Sequence, residues 1–230
     1  MRPPEQMRAI VITRPGGPEV LVAATLETPV PGPGEVLIRV AGAGVNFPDL
    51  LQRAGRYDPP PDASPLPGLE VAGVIAGLGS GVRNLRIGDK VVALCNGGGY
   101  AEYVAAPAGQ VLPLPAGLTL IEGAALPETF FTIAQTLVMR AGVEPGMFVL
   151  VQGAAGGLGG AALQIARALE GRPIALVSTP DKAAYALELG AEAVIDHTRE
   201  DVVARVLDLT GGRGADRIVA IAGGEAFARN

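Results

Sequence analysis

Apolar residues recur with two different periods along this chain. As far as residue 126 they form short runs, several of them alternating with polar positions, each stopped by proline or glycine. That pattern predicts strands at residues 8–13, 35–45, 69–75, 90–94, 100–104 and 111–115, turns at 15–18 and 31–34, and one short helix at 48–53. Beyond Pro127 only Pro145, Pro173 and Pro180 remain, and compact apolar runs alternate with helical stripes. Helices are predicted at 128–140, 160–169, 179–189 and 199–209, and strands at 148–151, 174–178, 193–195 and 217–222. Short punctuated strands suggest a small antiparallel barrel or sandwich. Strands alternating with helices mean a parallel sheet with right-handed crossovers. The expectation is an α/β chain of two domains, residues 1–126 and 127–230.

The second domain is organised around residues 147–169. Phe148, Val149, Leu150 and Val151 read as a strand buried on both faces. A glycine turn follows, and then a helix whose stripe is Leu158, Ala162, Ile165, Ala166 and Leu169. A helix that starts after such a turn aims free N–H groups and the positive end of its dipole at whatever sits there, which suits a phosphate. The spacing Ala154-x-Gly156-x-x-Gly159 is a dinucleotide-binding turn with alanine for its first glycine. A second register, Gly157-x-Gly159-x-x-Ala162, also fits, and tight packing alone is the competing reading. Ala154, Ala155, Gly156, Gly157, Leu158 and Gly159 are the expected phosphate-binding residues.

The end of the next strand speaks to which dinucleotide. An NAD-preferring site places Asp or Glu there for the ribose diol. This chain has Ser178 and Thr179, with Lys182 after them, and hydroxyls with a cation suit a 2′-phosphate, hence NADPH. Ser178 or Thr179 could instead cap the helix that begins at Pro180, and Lys182 could be a solvated helix residue.

Composition removes other functions. The 230 residues carry a net charge of -5 and no basic run, which argues against nucleic acid as a partner. No apolar stretch is long enough to span a bilayer, so no membrane partner is expected. Residues 1–6 are polar and proline-bearing, unlike a signal peptide, so the expected location is the cytoplasm. Cys95 and His197 are each alone of their kind, which excludes a disulfide framework within the chain and a cysteine-rich zinc site. A dinucleotide-type sheet has about six strands and the pattern supplies four, so the chain reads as ending inside its second domain. The 230 residues alone are then expected to be poorly stable.

Five segments occur in a telling order: Asn46 through Asp49 to Tyr57, Pro67-Gly68-Leu69-Glu70, Gly88-Asp89-Lys90, Leu126-Pro127-Glu128-Thr129 with Thr132, and the 153–159 turn. Together they resemble the zinc-free quinone oxidoreductase branch of the medium-chain dehydrogenase/reductase superfamily, whose members include zeta-crystallin-like and tumour-suppressor-induced quinone oxidoreductases. The resemblance implies a GroES-like β-barrel domain followed by a Rossmann-type doubly wound parallel sheet, here incomplete, with NADPH in the cleft between the domains. It implies reduction of a quinone or enone, and family members that are homo-oligomeric. The superfamily's zinc alcohol dehydrogenases carry Cys where Asn46 stands and His where Leu69 stands, so no metal is expected.

The same resemblance implies roles for single residues. Asn46, Asp49 and Tyr57 match positions lining the active-site cleft, and Thr132 matches a threonine beside the nicotinamide. His197 stands where the family has a tyrosine on the 2′-phosphate, and Ala222 where the backbone passes the nicotinamide ribose. Glu70 matches a buried structural glutamate expected to be charge-paired, and Arg53 is expected to pair with Asp49. Against these stand local readings: Asn46 and Asp49 as helix caps, Tyr57 as turn packing, and Thr132 bonded back within its helix. An enoyl-thioester reductase is the enzymatic rival, and a non-catalytic NADPH-binding protein is the rival of another class.

Overall fold

The computed structural model describes residues 2–57, 59–61 and 63–221. It divides into two compact units, the first ending at Glu128 and the second starting at Thr129.

The first unit is built on antiparallel strands. β1 (Gln6–Ile12) pairs with β2 (Leu21–Glu27) in a two-stranded sheet. β3 (Glu35–Ala43), β4 (Glu70–Leu78), β5 (Lys90–Leu94), β6 (Tyr103–Pro107) and β7 (Val111–Pro113) form a five-stranded sheet in the order β6-β3-β4-β5-β7. Bulges interrupt the β3–β4 register twice, and such irregularities bend a strand and raise its twist. The inward face buries Val36, Ile38, Val71, Ile75, Val91, Val104 and Val111 in one core. β-Branched residues dominate it because they pack well on a pleated surface. Two helices join this frame: α1 (Phe47–Arg53), inserted between β3 and β4, and α2 (Leu120–Gly123), packed on β3, β4 and β5. The expected strand at 100–104 lies three residues later, because Tyr100 hydrogen-bonds back to Pro67 rather than entering the sheet.

The second unit is a parallel sheet. β8 (Phe148–Val151), β9 (Arg172–Val177), β10 (Ala193–Asp196) and β11 (Arg217–Val219) lie in the order β10-β9-β8-β11. Successive strands go outward from β8 to β10, and β11 then returns to the other side of β8, so the order reverses at β8. In open α/β sheets that reversal is where ligands bind, beyond the carboxyl ends of the strands. Both faces are covered. Val149 and Val151 pack with Ala161, Ala162, Leu163 and Ala166 of α3 (Gly157–Ala168) and with Ala186 of α4 (Pro180–Glu188). Phe148, Leu150, Ile174 and Ile195 face the other way, against Val206 of α5 (Val202–Leu209). Each fully buried aliphatic side chain of this kind contributes about 1.5–3 kcal/mol.

The helix expected at 128–140 is present but wound differently, as π-helical segments Pro127–Phe131 and Ala134–Arg140. The Thr136 hydroxyl donates to the Thr132 carbonyl at 2.8 Å, and the Ala141 N–H reaches back five residues to Thr136. A threonine hydroxyl that takes the i−4 carbonyl competes with the α-helical ladder. The last expected strand, 217–222, is short, and its final residue lies outside the described residues.

Candidate functional site

In the first unit the expected site residues Asn46 and Asp49 are bound up with Glu70. Asn46 ends the loop after β3, and its backbone N–H donates to Asp49 Oδ2 at 2.8 Å, closing the first turn of α1. Its side chain turns the other way, with Nδ2 donating to Glu70 Oε1 at 2.8 Å. Asp49 is 5 % exposed and fully engaged, accepting also from Gly68 N–H at 3.1 Å and from the Tyr100 hydroxyl at 3.0 Å. This carboxylate fastens α1 to the 68 and 100 loops. Arg53 does not pair with it: the Arg53 guanidinium donates to the Gly16 carbonyl at 3.2 Å. Asp49 is already held by three donors, and an i,i+4 ion pair offers less than those bonds.

Glu70 is also not charge-paired. It is 2 % exposed, and it accepts from the Asn46 amide and, at 2.9 Å, from the Glu128 backbone N–H. Among the described residues it makes no salt bridge. Burial pushes its carboxyl above the ordinary glutamate range, with the charge of Asp49 adding to the effect. Gly44 makes room for it: a Cβ there would sit 2.0 Å from Glu70 Oε1. Glu128 is half-buried and shifted upward by burial and by the charges of Glu70 and Asp49. The Tyr100 hydroxyl is pushed well upward too, by burial and by Asp49, so it acts as a donor.

Tyr57 stands apart from these bonds. With Leu69, Leu94, Cys95, Asn96 and Glu128 it lines a cavity of about 170 Å³ within the first unit. The buried Cys95 thiol is pushed up to about 12, chiefly by burial, so it stays a thiol and is a poor nucleophile. The sequence assigned no site role to Tyr100, Cys95 or Glu128. Only Glu128 left a signal, as the charged member of a Leu-Pro-Glu-Thr motif.

The second unit brings the expected nucleotide residues to one edge of its sheet. The turn after β8 runs through Gly153, whose carbonyl accepts from Gly156 N–H at 2.9 Å. Gly156 precedes α3 and offers no side chain to cap it, and Gly156 and Gly157 are exposed. Ala154 is buried in the core, whereas Ala155 and Leu158 are half-buried. At Gly159 a Cβ would lie 2.2 Å from the Gly153 carbonyl oxygen, so only glycine lets the helix start this close to the strand.

Ser178 and Thr179 follow β9 and divide the work left open between them. Thr179 is the cap of α4, accepting from Lys182 N–H at 3.3 Å. Ser178 is met by the Lys182 side chain, whose Nζ donates to its hydroxyl at 3.1 Å. His197 follows β10, is exposed, and bonds through its backbone N–H to Val177, next to Ser178. Ala222 lies outside the described residues. Thr132 is half-buried between the two π-wound segments, and the threonine that bonds back there is Thr136.

This architecture has known counterparts. Residues 32–116 match the alcohol dehydrogenase GroES-like domain, and residues 157–230 match the zinc-binding dehydrogenase family. The quinone oxidoreductase of Lama guanicoe is 38 % identical over 216 residues, covering 93 % of this chain and 65 % of that protein. A probable oxidoreductase from Mycobacterium abscessus superposes with a TM-score of 0.84 at 37 % identity, covering 98 % of this chain and 71 % of that one. The chain belongs to the quinone oxidoreductase branch of the medium-chain dehydrogenase/reductase superfamily. The CurK enoyl reductase also superposes, with a TM-score of 0.85 at 28 % identity over 97 % of this chain and 69 % of that one. The chain spans 60 % to 65 % of the length of the curated quinone oxidoreductase relatives it matches. Among the described residues, no helix is long and apolar enough to cross a membrane.

Proposed function

We propose that this protein binds NADPH and reduces quinones or related α,β-unsaturated carbonyls without a metal ion. The observation that carries the reading is the Lys182 ammonium held 3.1 Å from the Ser178 hydroxyl at the end of β9. In that place an NAD site would offer a carboxylate to the ribose diol. Ser178 and Lys182, with His197 behind the next strand, suit the 2′-phosphate of NADPH, since a cation with a hydroxyl makes charge-assisted bonds to it.

The residues fit the rest of the dinucleotide. The exposed Gly156 and Gly157 leave the start of α3 open to a pyrophosphate, at the point where the strand order reverses. Ala155, Leu158 and Gly159 shape the same turn, and Ala154 anchors it in the core. Bound NADPH supplies a hydride; the chain supplies orientation and charge. Asn46, Asp49, Tyr57 and Thr132 are assigned to ordering the nicotinamide and the acceptor. For Asp49 this is indirect, because its three hydrogen bonds leave it a scaffold for Asn46.

The donor set argues for chemistry without zinc. Leu69 has no donor atom, and the Asn46 amide nitrogen is committed as a hydrogen-bond donor to Glu70. A Lewis acid assists alcohol oxidation by stabilising the alkoxide, whereas an activated quinone needs little polarisation. The likeness to an enoyl reductase favours enoyl thioesters as a second substrate class. Steady-state NADPH oxidation with a panel of quinones and enoyl thioesters separates them. Faster turnover of quinones is expected; turnover of thioesters alone would move the assignment, and turnover of neither would favour a binding protein.

A further inference from the structure

The cavity of the first unit contains one charge among its described residues. Its walls are Tyr57, the aliphatic Leu69 and Leu94, the protonated thiol of Cys95, and Asn96, and Glu128 is the exception. Its volume, about 170 Å³, is close to the ~150 Å³ of a cavity known to accept a benzene ring. Glu128 also stands in an unusual setting. No described cation is paired with it, and the charges acting on it are those of Glu70 and Asp49, both negative. Its backbone N–H is spent on Glu70 Oε2, which fixes the residue beside a second buried carboxyl.

We infer that Glu128 selects what occupies this cavity: its carboxyl, backed by Glu70 and Asp49 rather than by a cation, admits a single uncharged carbonyl-bearing ring and excludes anionic rings. The inference rests on the reductase reading and narrows its substrate class to small, neutral acceptors. The physics has two parts. Burial and like charges favour the proton on Glu128, so a larger share of it is a hydrogen-bond donor to a carbonyl oxygen than for an exposed glutamate at the same pH. A carboxylate-bearing ring would bring its own charge to a cluster of three carboxyl groups, with no cation among the described residues to offset it. Among the described residues, the titratable groups around Glu128 are Glu70 on β4, Asp49 on α1, and Tyr57 and Cys95 in the cavity wall. None of them supplies a positive charge.

The test is equilibrium binding of acetophenone and benzoate, a neutral and an anionic single ring, to the full 230-residue chain without cofactor. Ligand-observed NMR gives the affinities, and Glu128→Gln is measured beside the wild type. Wild type is expected to favour acetophenone by about tenfold or more, as a desolvated like-charge contact demands. Its acetophenone affinity is expected to fall as pH rises and Glu128 loses its proton. Glu128→Gln, which keeps the size and a donor, is expected to bind both rings within about threefold of each other, with no pH dependence. Unchanged selectivity or an unchanged pH profile in Glu128→Gln would overturn the inference, as would a wild type that binds neither ring. The exposed Glu122→Gln serves as the surface-charge control and is expected to behave as wild type. Turnover is scored separately. Selectivity governed by Glu128 without any NADPH oxidation sinks the reductase reading alone, and oxidation with selectivity indifferent to Glu128 sinks this inference alone.

Discussion

Asp49, Glu70 and Lys182 show how a residue's neighbours decide its role. Asp49 and Glu70 are both buried acids on adjacent segments, yet one is saturated with three donors and the other holds two with its carboxyl shifted upward. Their identities were legible in the sequence, whereas their partners were not, because Gly68, Tyr100 and Glu128 come from other segments of the chain. For the same reason Arg53 was misplaced: the i,i+4 spacing shows who can meet, and tertiary donors decide who does. The nearness of Lys182 to Ser178 was legible, because a helix start fixes its distance from the strand end. Lys182→Ala is expected to weaken NADPH by about tenfold or more and NADH hardly at all, as for loss of one charge-assisted bond. Equal losses in a fluorescence titration of both nucleotides would remove the 2′-phosphate assignment. Glu70 carries a pH signature. Below the ordinary glutamate range both folded and unfolded chains hold its proton, and its burial costs little. As pH rises through that range towards the raised native value, the unfolded chain releases its proton first and stability falls. Glu70→Gln forfeits one accepted bond, a loss of about 1–3 kcal/mol, but escapes that titration. Its deficit in denaturant unfolding is therefore expected to be larger near about pH 5 than near about pH 8; a deficit that grows with pH would contradict the assignment.

At the level of elements, strands announced by alternation and proline stops were found close to their expected places, and β5 fell on its expected residues. β2 left no comparable signal: Leu21–Glu27 alternates weakly because it forms a two-stranded sheet with only one partner and stays largely exposed. The π winding of the 127–140 stretch was invisible to periodicity, since it depends on where the Thr136 hydroxyl bonds. The 153–159 turn admits a sharper test, because the two readings of it differ at one glycine. At Gly156 a Cβ would meet nothing closer than 3.4 Å, and its backbone is extended. Gly156→Ala is thus expected to leave stability within about 0.5 kcal/mol and to weaken NADPH, because the methyl stands where a pyrophosphate must approach. Gly159→Ala, with backbone atoms at 2.2 Å and 2.7 Å from the new Cβ, is expected to cost about 1–3 kcal/mol by overpacking. Undiminished nucleotide affinity in a folded Gly156→Ala protein would reduce the turn to a packing device.

The whole molecule is two separately cored units, each carrying its own share of the proposed chemistry. The first holds an acid cluster and a ring-sized cavity, and the second holds a glycine turn and a cationic strand end. The fold of each was legible because its period is simple: alternation with stops in one, strand and stripe in the other. The cavity was not legible, because Tyr57, Leu94 and Glu128 come from segments far apart in the chain. Nucleotide binding is expected to act on the second unit, with protection from hydrogen exchange concentrated in β8, α3 and β9. At a hundredfold excess over Kd the stabilisation is about 2.7 kcal/mol, and protection confined to the first unit would contradict the assignment. The most direct measurement of the central claim is the initial rate of NADPH oxidation by 1,4-benzoquinone in metal-free buffer containing a chelator. The account predicts turnover that the chelator leaves unchanged and that falls sharply when NADH replaces NADPH. Turnover abolished by the chelator, or equal with both nucleotides, would contradict it.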